Sequence, residues 1–402
     1  MMVLVDCRRL DLRQAKGLEN FAISIITGLA QNMDSVVVDM CPISRTAYRT
    51  QFKECRNVSL ICDPIQGFLR SAAEAGFPGR VLAGIRQRVK RRFKVDVFAP
   101  RRAWALSQQA DVAYYPSHLN PMQHDHLPRV STVHAVLPEY TPVEMAVLED
   151  HMRNASAVVT SWPHPFNDLG RRYPFVKERL FLVPFSAMHL TTSRAEDSEP
   201  KRPVGQDYLL YPSVVVPRKN HINLIEACAI LRQQRKSIPL IICTGGGKSQ
   251  LQDQLMARIR ELHLDQQFRF LGHVTSAKLT GLYRGCLGTI SPSLWEAGIA
   301  PLQEGGVYGK PIICSNIAPA KEHAELFGLD ACFFDPKDPH DIARQLMAFL
   351  NNIDFYRQSS VRASLRIRAV NQEYVGRCYT DILKFAAGRS PRPQWFPFLQ
   401  AW

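Results

Sequence analysis

The chain has 402 residues, 46% hydrophobic and 21% charged, a balance that excludes a disordered or fibrous chain and, at about 150 residues per domain, points to two domains. Lys and Arg number 50 against 36 Asp and Glu, a formal charge of +14, which favours anionic partners: nucleic acid, an acidic membrane face or phosphorylated substrates. Ten cysteines include no C-x-x-C pair, so zinc ribbons and dithiol motifs are unexpected; Cys7, Cys228, Cys243 and Cys314 read as small buried hydrophobes of a reducing compartment.

No apolar run reaches the ~18–20 residues of a membrane span. Met1-Met2-Val3-Leu4-Val5 meets Asp6 too early for a signal-peptide core, so a first strand of a cytosolic protein is expected there. A helical pattern follows from about Leu18 to Gln31 and a strand at Val36–Met40. Further β-type runs are Asp111–Tyr115, Arg129–His134, Ala157–Ser161 and Leu180–Val183. The polar stretch 190–206 is the best linker candidate in the chain. After it strands and helices alternate regularly: strand Tyr208–Val216, helix Asn220–Gln234, strand Pro239–Cys243, helix Ser249–Leu262, strand Phe268–Leu271, and a helix from near Thr275 to Arg284. Short strands at Leu287–Ile290, Pro311–Cys314 and Ala331–Phe334 continue the series, and Asp338-Pro339 opens a helix with an N-cap and a first-turn proline. Short continuous apolar runs between helices predict parallel strands covered on both faces, an α/β class with two doubly wound halves.

Several segments carry chemistry. Gly245-Gly246-Gly247-Lys248-Ser249 resembles the end of a P-loop, but the first glycine of that pattern falls on Ile242. What remains is a glycine-rich strand-to-helix turn at Gly245, either an anion seat or a tight turn alone. Glu296 and Glu304 flank a loop, Ala297-Gly298-Ile299-Ala300-Pro301, that should lead into a short helix with Glu304 one turn inside. Free backbone N–H groups there suit a diphosphate, and carboxylates accept from sugar hydroxyls. From Arg80 to Lys94 seven basic residues and no acidic one accompany Val81, Leu82, Ile85, Val89 and Phe93 at helical spacing. That pattern fits a helix lying on an anionic membrane surface, or equally a core-packed helix with a solvated basic face. Without aromatic interleaving, nucleic acid is not expected as a partner.

The stretch from Ser291 through Glu296, Glu304 and Gly309-Lys310-Pro311 resembles the signature of glycosyltransferase family 4, roughly P-S-x-x-E-G-F-G-x-P-x-x-E-A followed by G-K-P-V. Pro217-Arg218-Lys219-Asn220 resembles the family's P-x-K-N turn. Phe270-Leu271-Gly272-His273-Val274 resembles its base-binding strand, and Cys314-Ser315-Asn316 and Phe334-Asp335-Pro336 also match. The resemblance implies a GT-B fold, two Rossmann-like units facing across a cleft: 1–189 on the acceptor side, a linker at 190–206, a nucleotide-sugar unit at 207–385, and a tail at 386–402 returning to the first unit.

It also implies roles. Glu304 would hold the ribose hydroxyls and Glu296 the transferred sugar. The backbone at Gly298, Ile299 and Ala300 would approach the diphosphate, which Lys219, at a helix N-terminus, would neutralise. Relatives carry arginine where this chain has Ser213, so Arg218 is the candidate substitute. Gly245, His273 and Val274 complete the donor site. In the first half Gly17 resembles the family's glycine loop, with a simple capping turn as the alternative. Ser131-Thr132-Val133-His134 resembles a T-x-H segment that puts His134 at a strand end in the active site, although Ala135 replaces the usual aspartate. His118 and Asn120 stand at a similar strand end.

The activity so implied is retaining, metal-independent transfer of a sugar, mannose from GDP-mannose by analogy, to a glycan or lipid-linked acceptor in surface-polysaccharide assembly, with no cofactor beyond the donor substrate. The expected place is the cytoplasm, peripheral to the membrane. The rival is a non-enzymatic basic nucleotide- or nucleic-acid-binding protein on the same scaffold, which would keep Lys219 and Glu304 but need neither Glu296 nor His134.

Overall fold

Runs of β-branched and aliphatic residues build two parallel sheets. The computed structural model describes residues 1–8, 17–40, 45–61, 108–119, 122, 124–136, 140–187, 205–246 and 250–394. They form two compact units, the first drawn from Met1–Ser161, Pro165–Phe185 and Gln372–Pro397, the second chiefly from Trp162–His164 and Ser186–Asn371.

In the first unit the strands are β1 (Met2–Cys7), β2 (Ser35–Met40), β3 (Val58–Ile61), β4 (Val112–Tyr115), β5 (Arg129–Thr132), β6 (Ala157–Thr160) and β7 (Leu180–Leu182). Their order is β3-β2-β1-β4-β5-β6-β7 with every neighbour parallel, and Val3 pairs with both Val36 and Val112. Val3, Leu4 and Val5 are fully buried, as a central parallel strand requires. β5 stops at Thr132, so His134 lies just beyond the strand rather than within it. Helix α1 (Gly17–Asn32) follows β1, α2 (Arg45–Gln51) follows β2, and α3 (Pro142–Asn154) and α4 (Pro163–Arg172) come later in the chain.

The second unit contains β8 (Tyr208–Pro212), α5 (His221–Gln233), β9 (Leu240–Thr244), α6 (Gln250–Glu261), β10 (Phe268–Phe270), α7 (Ser276–Gly285), β11 (Gly288–Ser291) and α8 (Ala300–Val307). It continues with β12 (Ile312–Ser315), α9 (Ala318–Phe327), β13 (Cys332–Phe334), α10 (Pro339–Asn351) and α11 (Ile353–Ala369). Strand order is β10-β9-β8-β11-β12-β13, again all parallel. Alternate residues of one strand feed two separate cores. Leu209 and Tyr211 pack with Leu224, Cys228, Ile259 and Leu346, whereas Tyr208 and Leu210 pack with Leu282, Tyr283 and Cys286. The period of two therefore commits each face of the sheet to its own helices.

The last helix, α12 (Gln372–Ala386), departs from expectation. A return was expected at 386, but the chain joins the first unit at Gln372. A Cβ on Gly28 of α1 would sit 2.7 Å from the Cα of Gly376, so the two helices meet backbone to backbone. Buried Tyr379 bonds to the hydroxyl of Thr132 at 3.0 Å, which in turn meets Tyr114 at 2.9 Å. The basic segment Arg80–Lys94, Asn120, Lys248 and most of 190–206 lie outside the described residues.

Candidate active site

In an open parallel sheet, ligands bind beyond the carboxyl ends of the strands, where the winding direction reverses. In the second unit that reversal lies between β8 and β11. The loop after β8 runs from Ser213 into a 3-10 turn at Pro217–Lys219, and Asn220 takes a left-handed conformation at φ 57° before α5 begins. Asparagine tolerates that conformation, and its side chain donates to the carbonyls of Pro292 at 3.0 Å and Pro336 at 2.7 Å. One residue thus fastens the loops after β8, β11 and β13 together. Tyr211 adds a hydroxyl donated to the Lys219 carbonyl at 2.5 Å.

That framework brings together residues far apart in sequence. Arg218 Nη1 donates to Glu296 Oε2 at 3.1 Å, and Lys219 Nζ pairs with Glu296 Oε1. The Lys219 and Glu296 side chains are 16% and 11% exposed, while Arg218 is 40% exposed. Burial lowers the Lys219 pKa, with Glu296 acting in the opposite direction. Lys219 ends the 3-10 turn directly before the N-cap Asn220, at the helix N-terminus as expected, and it faces the Glu296 carboxylate. Ser213 supplies no charge here, and its N–H donates to Thr244 O at 2.9 Å.

Loops after the neighbouring strands line up alongside. Gly245 has φ 95°, and a Cβ there would sit 3.0 Å from the Ser213 carbonyl carbon, so both the backbone conformation and the close approach require glycine. Its N–H donates to Gly272 O at 2.7 Å, which places His273, exposed, and Val274, half-buried, beside the same edge. Past β11, Glu296 sits on the loop and Glu304 inside α8, as the spacing predicts. Tyr283 donates its hydroxyl to Glu304 Oε2. Burial pushes the Tyr283 phenol well above its ordinary range, so it stays a donor.

One expectation fails. The Ile299 N–H is not open to a phosphate, because it donates to Nδ1 of buried His323 on α9 at 3.1 Å. Gly298 packs under the Trp162 indole, which groups with this unit and leaves no room for a Cβ. Ala300 is the first residue of α8.

In the first unit the reversal lies between β1 and β4. Gly17 opens α1 after β1, and His118 follows β4. His134 Nε2 bonds to Pro116 O at 2.8 Å and its ring meets Phe21 edge-on at 4.6 Å. Burial lowers its pKa to about 4, so the imidazole is neutral near pH 7 with Nδ1 as its acceptor. His118 bonds to the Tyr140 hydroxyl at 2.8 Å, and burial lowers its pKa to about 3. Among the described residues no group of three His, Cys, Asp or Glu could hold a metal, and no helix is long and apolar enough to cross a membrane.

Sequence reasoning missed His323, and it did not assign Tyr283 or Asn220 a role. Asn220, between a Pro-Arg-Lys turn and an apolar helical pattern, carried a readable sign of a left-handed cap. Lys321-Glu322-His323-Ala324 carried none.

Residues 193–365 match the family model described as Glycosyl transferases group 1. The chain is similar to O-antigen chain mannosyltransferase B of Escherichia coli, 26% identical over 313 residues, which cover 74% of this chain and 80% of the relative. It is also similar to the serotype-specific mannosyltransferase WbdA of Escherichia coli, 28% identical over 182 residues, 44% of this chain but 22% of that longer protein. Among solved structures, Anabaena Alr3699/HepE in complex with UDP and glucose superposes with a TM-score of 0.68 at 16% identity, covering 96% of this chain and all of that one. A glycosyltransferase from Rickettsia africae ESF-5 gives 0.67 at 14% identity over 97% and 99% of the two chains. The fold of the chain is GT-B, with two Rossmann-like units. Its matched segment contains Lys219, Glu296, Glu304 and the loops that hold them.

Proposed function

We propose that this glycosyltransferase moves mannose from GDP-mannose, with retention and without a metal, onto a glycan or lipid-linked acceptor in surface-polysaccharide assembly. The observation that carries the reading is the convergence of Arg218, Lys219 and Glu296 at the β8–β11 reversal, with Glu304 inside the following helix. The names of the Escherichia coli relatives support mannose and O-antigen.

On donor binding the diphosphate replaces Glu296 on Arg218 and Lys219, and the freed carboxylate turns to hydroxyls of the sugar. Glu304, held by Tyr283, accepts from the ribose. As the bond from the anomeric carbon to the phosphate oxygen breaks, negative charge grows on the leaving diphosphate, and Lys219, Arg218 and the backbone dipoles of the loop stabilise it. The acceptor oxygen forms its bond on the same face, and the departing phosphate takes its proton. His134, a neutral imidazole on the first unit, contributes Nδ1 as an acceptor. The basic segment Arg80–Lys94 holds the enzyme to an anionic membrane, where a lipid-linked acceptor resides.

Release of GDP from GDP-mannose by the purified protein, followed with an acceptor extract, tests the reading. Turnover with this donor, lost in Lys219→Ala while the variant melts like the wild type, is the expected result. A donor panel without turnover, together with tight nucleic-acid binding, would replace it with the non-enzymatic alternative.

A further inference from the structure

α8 is poorly equipped to form on its own. It has eight residues, Ala300-Pro-Leu-Gln-Glu-Gly-Gly-Val307, including Gly305 and Gly306, and its N-cap residue Ile299 provides no side-chain cap. Interior glycines disfavour a helix relative to alanine, and a helix this short is marginal in water. Packing from outside must therefore hold it. Gly305 and Gly306 allow close approach by Thr289 and Ile367, which secures the body of the helix. At its first turn the fastening is the Ile299 N–H bond to His323.

His323 suits that task. It is fully buried on α9 and its ring lies 5.5 Å from that of Phe327. Burial lowers its pKa to about 3, so the ring is neutral at any working pH. Since Nδ1 accepts from Ile299, Nε2 carries the proton, and among the described residues it has no hydrogen-bond partner. A buried donor left unpaired is costly, so a purely structural position would be better filled by an apolar ring. What the imidazole supplies and a phenyl ring cannot is the acceptor at Nδ1.

We infer that His323 is a positioning residue for the donor site: its Nδ1 acts as an external cap on Ile299 and fixes the loop carrying Glu296 together with the helix carrying Glu304. Ile299 lies between the two carboxylates, so a loose Ile299 displaces both. The inference rests on the proposed function for its catalytic consequence, but the cap itself can be measured without turnover.

Three variants separate the cap from the packing. His323→Asn keeps an acceptor close to the place of Nδ1 but loses ring volume; His323→Phe keeps the volume and loses the acceptor; His323→Ala loses both. Amide hydrogen exchange at Ile299 should remain slow in His323→Asn and become about 10- to 100-fold faster in His323→Phe, the range for losing the partner of a buried N–H. The kcat for GDP-mannose turnover should follow the same order, close to wild type in His323→Asn and down by about 10- to 100-fold in His323→Phe. Melting temperatures should follow ring volume instead, with His323→Phe the more stable of the two. An Ile299 amide equally protected in His323→Phe and wild type, or a kcat that follows ring volume, would overturn the inference. A wild type without turnover on any donor would overturn the proposed function, with the exchange measurement still deciding the cap.

Discussion

Glu296 occupies both cations that the proposed mechanism assigns to the diphosphate, which makes it an internal competitor of that ligand. Replacing it by glutamine removes the charge and keeps the shape. A charge-assisted hydrogen bond contributes about 1.5–3 kcal/mol. Arg218 is 40% exposed, so solvent screens its share, and most of the competition comes from Lys219, 16% exposed against a carboxylate 11% exposed. Releasing that pair before the ligand binds costs about 1–2 kcal/mol, equivalent to about 5- to 30-fold in affinity. Glu296→Gln should therefore bind free GDP about 5- to 30-fold more tightly than the wild type while losing mannosyl transfer. Acidity supplies a second signature. Burial lowers the Lys219 pKa and Glu296 raises it, so without the carboxylate the ammonium loses its proton at lower pH than in the wild type. The gain should accordingly be smaller at alkaline than at neutral pH. Titration calorimetry with GDP at both pH values reads both effects. Unchanged or weaker binding in Glu296→Gln would show that the carboxylate does not compete with the diphosphate.

Other perturbations follow from the same coordinates. Glu304→Ala should weaken GDP binding by about 10- to 100-fold in calorimetry, and Tyr283→Phe, which removes only the hydroxyl that orients Glu304, should weaken it by about 3- to 10-fold; affinity unchanged in Glu304→Ala would remove that residue from the ribose. Gly28→Val should force α1 and α12 apart at Gly376 and cost roughly 1–3 kcal/mol, seen as a lower melting temperature. Reversal of Arg88, Lys90, Arg91 and Arg92 to Glu should release the protein from anionic vesicles, at roughly 1 kcal/mol per basic residue; unchanged sedimentation would favour a core-packed segment.

Local chemistry made much of this architecture readable. Tyr208-Leu-Leu-Tyr211 and Leu240-Ile-Ile-Cys243 are continuous apolar runs, and both are buried parallel strands. Glu296 on the loop and Glu304 inside the helix followed from residue spacing. What stayed hidden was non-local. The pairing of Arg218 and Lys219 with Glu296 spans nearly eighty residues, and no periodicity encodes it. The Ile299 N–H looked open because its partner, His323, arrives from the next helix. β3, Val58–Ile61, went unread because it is only four residues long, Ser59 interrupts its apolar run, and only Ile61 is buried. The return at Gln372 escaped for a related reason: α12 is an amphipathic helix like its neighbours, and sequence gives its apolar stripe no address.

The central claim is retaining transfer from this donor site with the charge of the leaving diphosphate borne by the chain's own cations. Proton NMR of the anomeric signal of the product from GDP-mannose, recorded with and without EDTA, tests it most directly. The account predicts an α-linked mannoside formed at the same rate in both samples. A β-linked product would contradict the retaining assignment, and turnover abolished by EDTA would contradict the role given to Arg218 and Lys219.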